Sequence, residues 1–322
     1  MKKATKNMSK PYGFLSEGER LFPPMIVVKI TNTCDLECVH CPYSFISKQP
    51  QYKPVHMDWG LYEKIVDEVA SYKNVIFRLL CDGEPLMHPR FADMIRLAKQ
   101  KGIGPLNFIT NGVRLDAQLA ETVLESGVDV VEISLDALTQ ATYEKIRKGS
   151  DFGLVMDNVH KFIEKRNKMA AKTKIMVSII DQPEAGDEME AFKKYWEQRA
   201  DKVITRIYTS IGGLVDDKKM KIDDSGDRWP CPLLWRRFFI NSRGAAEFCV
   251  EDWYSETVVG DVSKSSIRDI WCSPEYEKVR LAHLSREFHK VPYCGSCKDW
   301  KAREWDNDYF NALSNVLGEG TK

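Results

Sequence analysis

Between residues 25 and 210, segments typical of buried strands alternate with segments typical of amphipathic helices. The strand-like segments are short, apolar and β-branched, whereas the helix-like segments carry apolar residues at intervals of three and four. The predicted strands are 25–31, 74–81, 105–112, 129–136, 174–180 and 202–210. The predicted helices are 58–72, 90–102, 117–127, 139–148, 154–170 and 188–200. These six units predict an α/β fold with a parallel sheet, and they are too few to close an eight-unit barrel. We therefore expect an open, partial (β/α)6 barrel.

The composition changes after the last predicted strand. A polar stretch at 216–228 is typical of a linker, and the segment beyond it is rich in tryptophan and cysteine. This change predicts two units of unequal size, which fits a chain of 322 residues. The expected divisions are a leader over 1–24, the partial barrel over 25–215, the linker over 216–228, a second unit over 229–305 and a C-terminal tail over 306–322.

Composition excludes some classes of function. The 47 basic residues balance the 47 acidic ones, which gives no support to a nucleic-acid partner. No run approaches the roughly 18 apolar residues of a membrane span, so we expect no membrane partner. The N-terminal lysines precede no apolar segment, which predicts no signal peptide and a cytoplasmic location. In that reducing compartment, the nine cysteines are expected to be metal ligands or free thiols rather than disulfides.

Three cysteines are grouped immediately after the first predicted strand. Cys34, Cys38 and Cys41 have the spacing C-x3-C-x2-C. Three thiolates on one loop can hold three irons of a 4Fe-4S cubane and leave the fourth iron open to a cofactor or substrate. A zinc site with His40 as fourth ligand is the alternative reading of the motif taken alone.

This motif, placed after the first strand of a β/α repeat, resembles that of the radical S-adenosylmethionine (SAM) superfamily. The resemblance implies that SAM chelates the open iron, and that one electron from the cluster cleaves it to methionine and a 5′-deoxyadenosyl radical. It extends over the first 210 residues. It also implies an external one-electron donor such as flavodoxin or ferredoxin.

The resemblance assigns further residues to the SAM site. Asp82-Gly83-Glu84-Pro85 is similar to the Gly-Gly-Glu-Pro motif of the family, although Asp82 replaces its first glycine. His40 stands where the family usually has an aromatic residue. The other cofactor-binding residues that the resemblance implies are Thr110, Asn111, Ser134, Asp136, Arg147 and Val177. Most of these residues lie at C-terminal ends of predicted strands, where a parallel β/α barrel places its catalytic groups.

A second cysteine set lies in the C-terminal unit. Cys231, Cys249, Cys294 and Cys297 have the spacing C-x17-C-x44-C-x2-C, with a hairpin turn expected at Ser242–Gly244. Four thiolates fully ligate either a 4Fe-4S cluster or a zinc ion, and spacing alone does not separate the two. The region resembles the SPASM/twitch extension of radical SAM enzymes. That resemblance implies a small α+β extension with one auxiliary 4Fe-4S cluster.

The two sets together indicate radical chemistry on a small molecule. We expect a dehydrogenase that oxidises a secondary alcohol of a small carbohydrate or aminocyclitol to a ketone, as in similar family members. An epimerase with a cysteine hydrogen donor and a peptide-modifying maturase are the alternatives. Two cysteines remain outside both sets: Cys272 is the candidate hydrogen donor, and Cys81 is expected to be a structural thiol. The conjectured substrate contacts are Arg206, Tyr208, Trp235 and Arg236.

Overall fold

Nine strands join in one sheet within the part of the chain that the structure describes. The structure is a computed structural model, and it describes residues 12–80, 82–221, 226–306 and 309–318. The strands are β1 (Met25–Lys29), β2 (Ile76–Leu80), β3 (Leu106–Thr110), β4 (Val130–Ser134), β5 (Lys174–Asp181), β6 (Lys202–Ile207), β7 (Phe238–Ile240), β8 (Ala245–Glu247) and β9 (Val258–Asp261). Their order is β6-β5-β4-β3-β2-β1-β7-β8-β9. All neighbours from β6 to β7 are parallel, and the last two pairs are antiparallel.

Helices connect the parallel strands and cover one face of the sheet. The helices are α1 (Glu17–Leu21), α2 (Tyr43–Ile46), α3 (Trp59–Ala70), α4 (Phe91–Gln100), α5 (Ala117–Glu125), α6 (Gln140–Ile146), α7 (Phe152–Lys168), α8 (Glu188–Trp196), α9 (Leu233–Arg236), α10 (Ile267–Trp271), α11 (Pro274–Leu284), α12 (Pro292–Gly295) and α13 (Tyr309–Leu317). Asp58, Asp116 and Asp151 cap α3, α5 and α7 by accepting hydrogen bonds from first-turn backbone amides. None of the described helices has the length and apolar composition that crossing a membrane requires.

The predicted α/β fold is confirmed. Each of the six predicted strands and six predicted helices forms, and only their ends shift by a few residues. Among the described strands, β6 and β9 are the two edges of the sheet, so it does not close on itself. The parallel strands all end on the same side, which places the loops after β1 to β5 next to one another.

The C-terminal unit extends the same sheet. Strand β7 pairs with β1, with Ile26 opposite Phe238, and the hairpin of β7 and β8 turns where the sequence predicts. Gly244 has a φ of +89° at that turn, a conformation that glycine adopts at little cost. The linker and the change in composition indicate a second unit, but they carry no sign of this pairing. Pairing with β7 satisfies backbone groups of β1 that an edge strand would leave open.

The C-terminal residues form a helix where the sequence analysis expects a tail. Met25 and Val27 of β1 face the side of the sheet opposite the connecting helices, and α13 packs against that side. Tyr309 and Leu313 of α13 are buried there. Within the tail expected over 306–322, residues 309–317 therefore form a helix. The physical reason is that the inner face of an open sheet is apolar and needs a cover, which a helix with apolar residues three and four apart provides.

Candidate functional site

Three thiols enter one cavity at the C-terminal ends of the parallel strands. Cys34, Cys38 and Cys41 lie on the loop after β1, and all three line a cavity of about 350 Å³. Backbone hydrogen bonds from Glu37 to Lys148 and from Val39 to Ile146 hold this loop against the end of α6. Burial raises the pKa of each of the three thiols. Ionised thiolates therefore need a compensating metal centre, which deprotonates the thiols that it binds.

The loop after β2 packs directly against the cysteine loop. A Cβ atom on Gly83 would lie 2.1 Å from the carbonyl oxygen of Thr33, which is far inside van der Waals contact. Glu84 also donates its backbone N–H to that oxygen over 2.7 Å. Glycine is the only residue that fits this approach. The absence of a side chain at Gly83 therefore lets the loops after β1 and β2 pack together and form one wall of the cavity.

The carboxylate of Glu84, in the loop after β2, is hydrogen-bonded to residues at the end of β3. Its oxygens accept hydrogen bonds from the Thr110 hydroxyl over 2.7 Å and from the Asn111 backbone N–H over 2.8 Å. Burial raises the pKa of Glu84 to about 7, although these hydrogen bonds oppose that shift. The Asn111 side chain donates in turn to Asp35, the neighbour of Cys34, over 2.8 Å. One chain of hydrogen bonds thus joins the loops after β1, β2 and β3.

Asp136 and Arg147 form a buried ion pair on the other side of the cavity. Nη2 of Arg147 lies 2.6 Å from Oδ2 of Asp136, and Nη1 lies 4.0 Å from Sγ of Cys38. Oδ1 of Asp136 accepts from the backbone N–H of Ile180. Nε of Arg147 is buried without a hydrogen-bond partner in the described part of the chain. A ligand with acceptor atoms in this cavity would satisfy it.

Most of the SAM-site residues that the sequence indicates line this cavity, but Val177 does not. The lining includes Asp82, Gly83, Glu84, Thr110, Asn111, Ser134, Asp136 and Arg147. Val177 is fully buried in the core between the sheet and the helices. Because side chains alternate along a strand, its neighbour Ser178 and the further residue Ile180 face the cavity instead. The structure gives no support to a side-chain contact between Val177 and a cofactor.

The four C-terminal cysteines line a second, smaller cavity. Cys231, Cys249, Cys294 and Cys297 share it with apolar side chains such as Phe248. Burial raises the pKa of all four thiols. Cys249 follows β8, Cys231 precedes α9, and Cys294 lies in α12. Three separate segments of the C-terminal unit therefore bring the thiols to one place, since Cys297 follows Cys294 just after α12.

The residues around both cavities fit iron–sulfur clusters. Nε of Arg228 and Nε2 of His283 line the small cavity and are buried without a hydrogen-bond partner among the described residues. Cluster sulfurs are acceptors for such donors. No group of three or more His, Cys, Asp or Glu residues in the described chain is arranged to hold a single metal ion. The fit thus rests on the thiols that each cavity presents.

Cys272, the candidate hydrogen donor, lies outside both cavities. Its side chain is exposed at the end of α10, and Sγ donates to the backbone oxygens of Arg20 and Leu21 over 3.6 and 3.8 Å. The structure therefore gives no support to Cys272 as a hydrogen donor, because this thiol faces the N-terminal segment rather than the large cavity. Cys81 lies outside the described residues.

Several lining residues had no signal in the sequence. Lys29 is buried, and its Nζ lies 3.0 Å from Asp82 and 3.1 Å from Glu247 of the C-terminal unit. Of the conjectured substrate contacts, Arg206 lines the large cavity and Tyr208 an adjoining one, while Trp235 is buried in the core. Arg236 is among the lining residues of neither cavity. Lining residues that the sequence did not indicate include Arg78, Arg237, Glu251, Trp253, Arg303 and Tyr309.

Family models match both units of the chain. One described as the "Radical SAM superfamily" matches residues 28–218, and one described as an "Iron-sulfur cluster-binding domain" of the SPASM type matches residues 218–298. Among curated proteins, the tungsten-containing aldehyde ferredoxin oxidoreductase cofactor-modifying protein of Pyrococcus furiosus is 28% identical over 174 residues. The match covers 53% of this chain and 47% of that protein, so the chain spans about half the length of this relative.

Solved structures share the fold at low sequence identity. BtrN in complex with AdoMet and 2-DOIA has a TM-score of 0.59 and 18% identity, over 86% of this chain and 93% of that chain. SuiB of Streptococcus suis bound to the precursor peptide SuiA has a TM-score of 0.66 and 14% identity, over 81% of this chain and 67% of that chain. At these identities the similarity shows a common fold.

Proposed function

The chain belongs to the radical SAM superfamily, and we propose that it oxidises a secondary alcohol of a small carbohydrate or aminocyclitol to a ketone. Its cofactors are SAM, a 4Fe-4S cluster and, in the C-terminal unit, auxiliary iron–sulfur binding. When bound, SAM and an electron from its cluster supply the 5′-deoxyadenosyl radical that removes a hydrogen atom. The electron comes from an external donor, for which flavodoxin or ferredoxin is the proposed partner.

We assign the two cysteine sets to different clusters. Cys34, Cys38 and Cys41 are the proposed ligands of the SAM-binding cluster, since three ligands leave one iron open. The four cysteines of the small cavity are the proposed ligands of one auxiliary 4Fe-4S cluster. Its irons are then all ligated by the protein, which leaves electron transfer or structural support as its roles.

The walls of the large cavity supply the proposed contacts of SAM. Arg147 carries donors suited to the SAM carboxylate, and Asp136 keeps its guanidinium oriented. Ser134 and Asn111 present polar side chains near the ends of β4 and β3. The loop of Asp82 and Gly83 offers backbone groups beside the cysteine loop. These assignments follow the family motif residue by residue and are supported by the shared cavity.

One observation carries the oxidation: the same two side chains border both cavities. Glu251 and Arg303 line the thiol-bearing large cavity and also the four-cysteine cavity, and the two side chains form an ion pair. A cluster held by the four cysteines of the small cavity would therefore supply an electron acceptor that one side-chain pair separates from a substrate in the large cavity. Redox-neutral chemistry needs no such acceptor.

The proposed reaction balances in atoms and electrons. The alcohol carbon loses a hydrogen atom, which forms 5′-deoxyadenosine, and the hydroxyl loses a proton to solvent or a nearby base. A cluster held by Cys231, Cys249, Cys294 and Cys297 would accept the remaining electron, and the carbon–oxygen bond becomes a carbonyl. One SAM is consumed for each ketone formed.

Product analysis with a labelled substrate tests this function. Anaerobically reconstituted enzyme with SAM and a reductant is offered a panel of sugars and aminocyclitols deuterated at the carbinol carbon. We expect a ketone, together with 5′-deoxyadenosine that carries one deuterium. Recovery of a stereoisomer at the same oxidation level would contradict oxidation and favour an epimerase.

A variant of the small cavity isolates the electron-acceptor role. Replacing Cys294 and Cys297 by alanine removes two proposed ligands of the auxiliary cluster and leaves the large cavity unchanged. We expect ketone formation to stop while 5′-deoxyadenosine remains measurable. The control is Cys272→Ala, which changes an exposed thiol outside both cavities. Full ketone yield in the double variant would refute electron transfer to this site.

Peptide modification is the second candidate. The observation in its favour is the fold shared with SuiB, which was solved with a precursor peptide. Product analysis separates the two readings, because a maturase would leave sugars unchanged and alter the mass of a peptide substrate.

A further inference from the structure

A third cavity, which we call the adjoining cavity, lies next to the large one and has no thiol in its lining. Its volume is about 340 Å³, and it lies along β6 and the start of α13. Arg206, Arg237, Arg303 and Tyr309 line both cavities, so the two spaces meet at these side chains. A molecule that occupies the adjoining cavity would therefore reach toward the proposed SAM site without displacing the cysteines.

Arginines outnumber acidic side chains in the lining of this adjoining cavity. Arg206, Arg237 and Arg303 line it, with Arg303 already paired with Glu251, whereas Glu304 is its only acidic lining residue within the described chain. Behind Arg206 lies Glu132, a fully buried residue of β4. Oε1 of Glu132 accepts from Nε of Arg206 over 3.0 Å, and Oε2 lies 3.2 Å from Nη2 of Arg78. Two guanidinium groups thus share one carboxylate.

The carboxylate of Glu132 stays ionised. Its single negative charge does not balance the two positive charges of Arg206 and Arg78. Burial opposes the ionisation of Glu132, but Arg206 and Arg78 outweigh it and hold its pKa at about 2. The ring of Tyr309 lies 3.8 Å from the guanidinium carbon of Arg78, which packs that arginine in place. Arg206 is about one-third exposed, so its remaining N–H groups are accessible from the cavity. Such a fixed, partly accessible guanidinium is suited to an oxyanion.

We propose that this adjoining cavity binds an oxyanion of the substrate, a carboxylate or a phosphate, and that Arg206 is its main contact. The inference rests on the proposed function in taking the substrate to be the molecule held beside the SAM site. It narrows that substrate to an acidic carbohydrate. A cationic aminocyclitol is disfavoured, because its ammonium groups would face the arginines.

Anion titration of the holoenzyme tests this proposal. Inorganic phosphate and acetate are titrated separately by calorimetry into anaerobically reconstituted protein saturated with SAM. We expect at least one anion to bind with a millimolar or tighter Kd, and the better of the two identifies phosphate or carboxylate recognition. Arg206→Gln should weaken that binding about tenfold, since it removes a charge-assisted contact. Arg268→Gln, at an exposed position of α10, is the matched control and should leave it unchanged.

A second variant predicts the opposite change. Glu132→Gln keeps the shape of the side chain but removes the charge that compensates two arginines. It should tighten anion binding several-fold, which a merely structural role of the cluster would not produce. Absence of millimolar binding, or equal Kd values in Arg206→Gln, or no gain in Glu132→Gln, would overturn the proposal. The measurement needs no turnover, so its failure is distinguishable from a failure to form ketone.

Discussion

The two thiol-lined cavities differ in the space and polarity around the sulfurs. The N-terminal one carries three thiols on a single loop, has a volume of about 350 Å³ and meets an arginine-rich cavity. The C-terminal one collects four thiols from three segments of the chain and is walled by side chains such as Leu234, Phe248 and Trp300. Three thiols beside open space suit a centre that binds a reactant, and four thiols in an enclosed space suit one that only exchanges electrons.

This difference shows how one chain divides its chemistry between two similar ligand sets. With cysteine as the proposed ligand at both sites, the number of thiols and the shape of the neighbouring space decide what else can bind. Two sets of contacts join the two regions. The Glu251–Arg303 pair borders both cavities. Lys29 pairs with Asp82 of the loop after β2 and with Glu247 of β8.

Removing the ligands of each cavity in turn should have the largest effect. Reconstituted protein is expected to hold about eight irons, since each cubane contains four. Replacing Cys34, Cys38 and Cys41 together by alanine should leave about four irons and abolish formation of 5′-deoxyadenosine, because no cluster remains to bind SAM. Iron analysis and chromatography measure both outcomes. Stoichiometric zinc in the C-terminal site of protein isolated without oxygen would contradict the assignment of a 4Fe-4S cluster to that site.

Lys29→Met should be the most destabilising of the single substitutions considered. It leaves Asp82 and Glu247 buried without their common cation, and breaking a buried pair costs roughly 3–5 kcal/mol. Denaturation in guanidinium chloride measures the loss. The matched control is Lys48→Met, whose exposed pair with Glu37 should matter little. If Lys29 joins the two sites, iron should be lost from both together, and loss from one alone would contradict the link.

Gly83→Ala should damage the N-terminal site more than the C-terminal one. The new Cβ would lie 2.1 Å from the Thr33 carbonyl oxygen, and both partners are backbone-fixed, so the two loops must separate. We expect a loss of about 1–3 kcal/mol and weaker SAM binding, measured by denaturation and calorimetry. Gly18→Ala in α1 has room for its methyl group and serves as control. Unchanged SAM affinity in Gly83→Ala would show that this loop contact does not shape the cavity.

Cys272→Ala should have the smallest effect. The thiol is exposed and makes only long contacts to backbone oxygens of the N-terminal segment. Product yield, product stereochemistry and 5′-deoxyadenosine formation should therefore match those of the unaltered enzyme. Loss of product with normal formation of 5′-deoxyadenosine would instead indicate that Cys272 is a hydrogen donor, and it would favour the epimerase hypothesis.

The order of elements could be predicted from the sequence because its signals are local. Short runs of apolar, β-branched residues, as in β1, and apolar residues at helical spacing lie within a few residues of the structure that they specify. Cysteine spacing on one loop is equally local, so the first ligand set stands out without a structure. No helix is predicted in the tail over 306–322, whereas α13 forms there because its partner is the inner face of the sheet.

The sequence by itself determined the α/β order, the two cysteine sets and the family. Only the tertiary structure decided which distant residues meet: Asp82 pairs with Lys29 and Glu247, Arg206 shares Glu132 with Arg78, and Val177 points away from the cavity that Ser178 lines. Motif and periodicity act within a turn or a strand. The partner of a buried charge is instead brought close by sheet pairing and helix packing, which join segments far apart in the chain.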